Sequence, residues 1–547
     1  MKRILFVLLL IFSGCSTAQS NGNPKIYIRV NQVGFNTDDV KSAIVLSNIN
    51  LTGRRFYLVD KVNVKVFSDF IRNSKGKYAS FPYSYEIDFS DFKNKGRFAL
   101  LIADSKSPQF EISDNVYSGF ASYLLKFFEV QRCGPTHPYL HKKCHISDVT
   151  SIIENGKERH EIFDVTGGWH DAGDYTKFLN TIAFSTYLLL FSYDFAPEKF
   201  SFDLNKNQVP DILEEAKIGL DWLLRANYKN RKLVTQVQNE KDQKVGWRLP
   251  ENDPLQFDRP GFIGIGKNLI GIYVAALALG SKIWENKIHY SEFAEKLKNT
   301  AIGFYELINE SDDLDTTGTG FYRDTKFNGK LSLAAIELYE LTGNEKYLQD
   351  SENFARKAGT EAWWGWGNVA NIADYKIAKY DKAFIEFLQK SLIKFKKHSE
   401  SKVFGEGVDL YWGSNMNLLG VALTNILYKK FTNDNTFDKI EFINRDYILG
   451  RNPWGISFIY GKGANYTKHF HHQVAYFNKG KLPGGLTGGP VMKKIYGDLN
   501  INYETKDKFS AFQTDDAYYR DDRNDYVCNE PTISANATAV FVFGNLR

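Results

Sequence analysis

The chain has no long apolar run beyond its first residues, no excess of one charge and little cysteine. After the first dozen residues no segment holds ~18 uninterrupted apolar residues, so nothing later reads as a membrane helix. Lys plus Arg number 69 and Asp plus Glu 64, and no basic run dominates. That removes the electrostatic reason to expect a nucleic-acid partner. The four cysteines stand at 15, 133, 144 and 528. If Cys15 belongs to a leader, three remain, and in an oxidising compartment at least one of them is free or on a metal. Of the 547 residues 43% are hydrophobic, which excludes a mainly disordered chain. Aromatics reach 15%. They read as a large core or as a cleft that stacks on sugar rings, and composition alone favours the core.

Residues 1–15 read MKRILFVLLLIFSGC. Lys2 and Arg3 precede an apolar stretch, Ile4 to Phe12, that is too short to span a bilayer and fits a secretion signal. Phe12-Ser13-Gly14-Cys15 resembles a bacterial lipobox in which Cys15 carries the lipid, although Phe12 departs from its small aliphatic residue. The alternative is ordinary cleavage near Ala18. Residues 1–23 are therefore expected to be leader and tether, and the protein to act as a monomer in the cell envelope, lipid-anchored or secreted.

Residues 24–115 hold six or seven short β-branched and aromatic runs separated by Asn-, Gly- and Asp-containing turns, which predicts a β-sandwich of immunoglobulin type. From 116 to 547 the period becomes 3.6. Helices are expected in GFASYLLKFFEVQRC, VPDILEEAKIGLDWLLRANY and DKAFIEFLQKSLIKFKKHS, and in NMNLLGVALTNILYKKF and FDKIEFINRDYILG. Two further pairs repeat one grammar: NLIGIYVAALALGSKIW with YSEFAEKLKNTAIGFYELIN, and LSLAAIELYELTG with EKYLQDSENFARKAG. Stacked helical hairpins give an open solenoid or a closed α/α barrel. Gly- and aromatic-rich segments at 161–175, 404–416 and 450–530 are long loops of the kind that carry function.

The densest polar cluster is Gly167-Gly168-Trp169-His170-Asp171-Ala172-Gly173-Asp174-Tyr175. Two carboxylates three residues apart among small residues can activate one water, although a lone pair of this kind is usually turn chemistry. GGWHDAGDYTKF, followed by VPDILEEAKIGLDWLL, resembles glycoside hydrolase family 9, the inverting cellulases. Asp446-Tyr447-Ile448-Leu449-Gly450-Arg451-Asn452-Pro453 with Ser457 and Gly461, His471-His472, GGLTGGP at 484–490 and Asp525-Tyr526-Val527-Cys528-Asn529-Glu530 follow in that family's order. IYIRVNQVGF resembles the immunoglobulin-like module that precedes the catalytic domain in one branch. The resemblance implies an (α/α)6 barrel and an endo-β-1,4-glucanase, with Asp174 as general base, Asp171 holding the water and Glu530 as general acid. Acid and base would stand on opposite faces of the bond with room for water between them. Exo-action on cello- or glucosamine oligomers, and glycan binding without catalysis, are the rival readings.

Cys133, Cys144, His145 and His170 suit tetrahedral zinc by residue type, with a Cys133–Cys144 disulfide as the alternative. The same resemblance implies a structural zinc on such a set, just before the Asp pair. It also makes calcium plausible, for which Asp312, Asp313 and Asp315 offer oxygens in a loop that is not an EF-hand. No organic cofactor is expected. Trp412, Trp364 and Trp366 are candidates for sugar subsites, with Tyr526, and His471 resembles a family residue that hydrogen-bonds the sugar at the cleavage point. Gln473 stands where the family pattern has Arg, and loss of that charge predicts weaker binding or altered specificity unless Arg451 or Lys468 replaces it.

Overall fold

The computed structural model describes residues 23–288, 290–318 and 322–546. The expected leader and Cys15, within residues 1–22, lie outside them. The first elements are strands: β1 (Ile26–Arg29), β2 (Gly34–Asn36), β3 (Ser42–Ser47), β4 (Arg55–Asp60), β5 (Lys65–Phe70), β6 (Gly76–Tyr78), β7 (Phe81–Asp88), β8 (Gly96–Ile102), β9 (Ser105–Lys106) and β10 (Phe110–Ser113). They pair as two sheets, β1-β3-β7-β6 and β2-β10-β8-β4-β5, with β9 against β8. The sheets close on a core of their own that includes Phe35, Val45, Leu58 and Leu100. Phe35 meets Phe89 and Phe110 edge-on at its centre.

Among the described residues, twelve helices of eight or more residues build the rest: α1 (Phe120–Gln131), α2 (Leu179–Phe195), α3 (Asp211–Arg225), α4 (Lys267–Ile283), α5 (Ser291–Glu306), α6 (Asn328–Thr342), α7 (Glu345–Ala358), α8 (Ala370–Ile377), α9 (Ile385–Glu400), α10 (Ser414–Tyr428), α11 (Asp438–Ile448) and α12 (Ile533–Asn545). Each even-numbered helix packs on the next, and α12 packs on α2, so six inner helices close a ring. The odd-numbered helices lie outside; α1 covers α12, and α7 covers α6. Inner helices are enclosed on all sides. In α2 only Asp194 of seventeen residues is not buried. Such a helix has no polar stripe, which is why sequence periodicity passes over α2. α8 escapes for another reason: buried Asn371, Asp374 and Lys376 make its eight residues read as polar.

Inside the helical region lies a six-stranded sheet that sequence patterning does not show, running from Ile152–Glu154 to Gly261–Gly264. One of its strands is only Lys177–Phe178, paired with Lys232–Val237. Those two residues join the Asp171–Thr176 loop to the start of α2, so the sheet fixes the loop from its C-terminal side.

Candidate active site

Four segments distant in sequence meet around Gly173. Its N–H donates to Glu530 Oε1 at 3.2 Å, and its carbonyl accepts from the Gln473 N–H at 3.0 Å. A Cβ here would stand 2.1 Å from the His471 carbonyl oxygen, so only glycine lets the two loops approach this closely. The His471 N–H donates to the Asn529 carbonyl, and the Ile533 N–H, at the start of α12, donates to the Asp171 carbonyl at 3.0 Å. Gln131, at the end of α1, braces the same loop. Its Nε2 donates to the carbonyls of Ala172 (2.6 Å) and His170 (3.1 Å), and its Oε1 accepts from His472 Nε2 at 2.7 Å. Ring closure thus brings Glu530 to the Asp171–Asp174 loop.

The three carboxyls differ in their environments. Burial pushes Asp171 up to about 6, while the neighbouring Thr181 and Tyr322 hydroxyls favour its charged form. Asp174 accepts from the Thr176 N–H and Oγ1, both at 3.1 Å. Burial and then the Asp242 charge still raise it to about 7. Glu530 is pushed well above the carboxylate range by burial and by Asp174. Glu530 is therefore the group that keeps a proton while its neighbours ionise.

An aromatic line borders these groups. Trp412, 49% exposed, lies 5.9 Å from the Tyr526 ring. Tyr526 meets His471 edge-on, and His471 meets Trp247. Trp247 stacks on the exposed Tyr476 at 5.1 Å. His471 is neutralised by burial. Its Nδ1 lies 2.7 Å from the Arg523 carbonyl, so Nδ1 carries the hydrogen and Nε2 keeps a free lone pair. Trp364 does not belong to this line. It is fully buried among the inner helices and donates its indole N–H to Thr538 Oγ1. Trp366 packs edge-on against Tyr322 at 5.2 Å.

Gln473 is buried, and its Oε1 accepts from the Arg248 backbone N–H at 3.0 Å. Its oxygen is committed to bracing a loop, which leaves its Nε2 for a ligand. Arg451 cannot supply a missing charge here, because it is buried against Ser42 Oγ and the Phe404 carbonyl beneath the sandwich. Arg523 stands over the Tyr476 ring at 4.9 Å.

Sequence reasoning missed Tyr322. Burial, and then the charges of Asp171, Glu530 and Asp174, push its phenol well up, so its hydroxyl belongs with the three acids. Tyr322 also holds φ at +52°, a strained backbone for an aromatic residue. Gln131 and Trp247 were missed as well. Gln131 had a signal in its position beside Cys133, and Trp247 had one in its Gly-flanked loop.

Cys133, Cys144, His145 and His170 are all buried, and their ligand atoms lie within 4.8 Å of one another. The sulfurs are 3.9 Å apart, which is no disulfide. Cys133 Sγ is 3.6 Å from His145 Nδ1, Cys144 Sγ 3.9 Å from His170 Nε2, and the two nitrogens 3.1 Å apart. A tetrahedral zinc with these donors has edges of about 3.3–3.8 Å. Asp253 Oδ2 accepts from His145 Nε2 at 3.0 Å, which turns the Nδ1 lone pair inward. The donor set and its outer support fit zinc. Two of the acids of the 312–315 loop are used otherwise. Asp313 pairs with Lys267, and both Asp315 oxygens accept from Thr317. Among the described residues the Cys/His set is the one group gathered closely enough to hold an ion, so the calcium expectation finds no ligand set.

Residues 117–543 match the family model described as Glycosyl hydrolase family 9, and residues 23–107 match that of the Cellulase N-terminal ig-like domain. A cellodextrinase of Butyrivibrio fibrisolvens is 27% identical over 85% of this chain and 90% of its own. A xyloglucan-specific endo-beta-1,4-glucanase of Bacteroides ovatus is 25% identical over 100% of this chain and 98% of its own. Among solved structures, a Zn-binding triple mutant of GH family 9 endoglucanase J30 shares the fold, with a TM-score of 0.81 at 23% identity over 94% of this chain and 99% of that one.

Proposed function

Because the chain belongs to glycosyl hydrolase family 9, we propose that it hydrolyses β-1,4-glucosidic bonds with inversion at the anomeric carbon. The observation that carries this reading is the set of three buried carboxyls around Gly173, graded in acidity and bordered by aromatic faces. Glu530 holds its proton and gives it to the departing glycosidic oxygen. Asp174, the next to ionise, takes a proton from the attacking water. Asp171, positioned beside the Thr181 and Tyr322 hydroxyls, holds that water from the other side. His471 Nε2 accepts from a sugar hydroxyl at the cleavage point, while Trp412 and Tyr526 stack on neighbouring rings.

Cys133, Cys144, His145 and His170 would hold a structural zinc. When bound, the ion is a Lewis-acidic cross-link without a part in bond cleavage. The residues themselves tie the 133–145 loop to His170, one position from Asp171. We further propose that Cys15 anchors the enzyme, as a monomer, in a bacterial envelope; metabolic labelling with a radioactive fatty acid, lost in Cys15→Ser, tests the anchor.

The function is tested with Glu530→Gln. Turnover of an unactivated β-1,4-glucan should fall by at least ~10²-fold with an unchanged melting curve, while an aryl glycoside with a good leaving group is partly spared. Near parental turnover on the glucan would overturn the assignment. The cellodextrinase among its relatives supports short soluble chains as substrates. Loss of β-glucan viscosity ahead of reducing-sugar release marks endo-action, and the reverse marks exo-action.

A further inference from the structure

Beside Asp174 stands a fourth carboxylate that the catalytic reading leaves without a task. The strand Lys232–Val237 pairs with Lys177–Phe178, Val237 lying opposite Lys177. The Asp171–Thr176 loop and residues 238–242 therefore leave the sheet at the same end. Asp242 ends this run at the start of a short turn, its N–H on the Asn239 carbonyl at 2.9 Å. It is only 3% exposed. Its Oδ1 is bound by Arg248 Nη2, and its Oδ2 is buried with no hydrogen-bond partner. Arg248 in turn lies 4.9 Å from the ring centre of Tyr175, the neighbour of Asp174, and its carbonyl accepts from the Tyr175 hydroxyl. The backbone N–H of Arg248 holds Gln473 from the other side.

A buried carboxylate with one oxygen unmet is unfavourable in itself. Arg248 does not cancel its charge. The same guanidinium binds Asp253 Oδ1 through Nε at 2.8 Å, so one cation serves two carboxylates and the trio keeps a formal charge of minus one. Arg259, which donates to the Tyr175 carbonyl at 2.7 Å, is paired with Asp148. The other groups facing Asp174 are Asp171 on its own loop, Glu530 ahead of α12 and the Tyr322 hydroxyl. Glu530 and Tyr322 hold their protons, and Asp171 acts on Asp174 less strongly than Asp242 does.

We propose that Asp242 is a positioning residue of the hydrolysis, a fixed negative charge, held in place by Arg248, that makes Asp174 keep the proton it takes from the attacking water. The inference rests on the hydrolase reading. In the step itself the water O–H bond breaks, its proton goes to Asp174 and its oxygen bonds the anomeric carbon, while the Glu530 proton goes to the departing oxygen. Asp242 gains no proton; it strengthens the base that does. The rise of Asp174 to about 7, through burial and then through Asp242, accords with this.

The test is the pH dependence of kcat/KM on a soluble cello-oligosaccharide, with the full chain and Asp242→Asn, which keeps the side-chain size and an oxygen for Arg248. The acidic limb, set by Asp174, should move toward acid by at least ~0.5 pH unit, and the plateau should fall at least ~3-fold because the base is weaker. The alkaline limb, set by Glu530, should stay. Asp242→Glu keeps the charge and should restore the acidic limb. A merely structural role lowers the rate at every pH and moves neither limb. Asp242→Ser is the second neutral variant, and whichever of the two melts within a few degrees of the parent decides. A further readout needs no turnover. Asp174→Asn should gain less melting temperature at pH 8 in the Asp242→Asn background than in the parent, by at least about a third. An unmoved acidic limb, or equal gains in the two backgrounds, overturns the proposal. An inert parent with the smaller gain defeats the hydrolase reading alone, and an active parent with an unmoved limb defeats the Asp242 role alone.

Discussion

At the scale of single residues, the three acids and one glycine set the behaviour of the centre. Asp174 has its folded-state value raised to about 7, above the ordinary carboxylate value near 4. The folded chain therefore binds this proton more tightly than the unfolded chain. The contribution of this group to stability is fully present below pH 4 and is lost as pH climbs through about 7. Asp174→Asn should abolish most activity yet raise the melting temperature by about 2 °C or more at pH 8, with no gain at pH 4. Melting curves at both pH values check this, and a gain confined to acid would contradict the burial argument. Gly173→Ala should act oppositely. Its methyl meets the His471 carbonyl at 2.1 Å, so the loops part, stability drops by roughly 1–3 kcal/mol and turnover falls together with the Glu530 contact. Parental kinetics in that variant would show that the loops can yield at no penalty.

Among elements, legibility followed burial pattern only in part, since α4 is nearly as enclosed as α2 and yet reads as a helix. Outer helices such as α3 show one apolar face in sequence and are read directly, because half of each meets water. The inner α2 and α8 lack that contrast, the first through uniform apolarity and the second through buried Asn371, Asp374 and Lys376. The acidic pair and Glu530 were legible through motif order. Tyr322 was not, since a lone tyrosine in a loop carries no pattern until the fold brings it to Asp171. The 133–145 loop was legible as chemistry, though its spacing alone left zinc and disulfide open. Its geometry predicts that elemental analysis finds one zinc per chain. Strong chelator or acid should release it, since the ligand thiols must be deprotonated. Cys133→Ser should lower both metal content and melting temperature. A full-length chain with no zinc and unchanged melting in Cys133→Ser would leave the set as mere core.

For the molecule as a whole, the sandwich does more than precede the barrel. Asn31 Nδ2 donates to Asp446 Oδ1 at 2.7 Å. The Gln32 N–H donates to the Leu449 carbonyl, its Nε2 to the Gly455 carbonyl, and its Oε1 accepts from the Asn465 N–H. Arg445 binds Asp39 at 2.6 Å. The two residues at the centre of IYIRVNQVGF therefore pin the 446–465 segment, which leads straight into His471 and Gln473. Gln32→Ala removes the two side-chain bonds, at roughly 1 kcal/mol each, and keeps the backbone one. It should lower the melting temperature and reduce turnover together, read by calorimetry and glucan assay on one preparation. Loss of stability with intact turnover would limit the sandwich to a stabilising role.

The closing of the ring by α12 also sets a timetable. Glu530 and Ile533 reach the Asp171–Gly173 loop from the last stretch of the described chain, and α12 is the inner helix that both α1 and α2 wait for. A ribosome that has finished ten of the twelve helices has produced neither a closed core nor an acid for the cleft. Until the 530–545 segment docks, the inner ring stays open and the Asp171–Gly173 loop lacks its contact with Glu530.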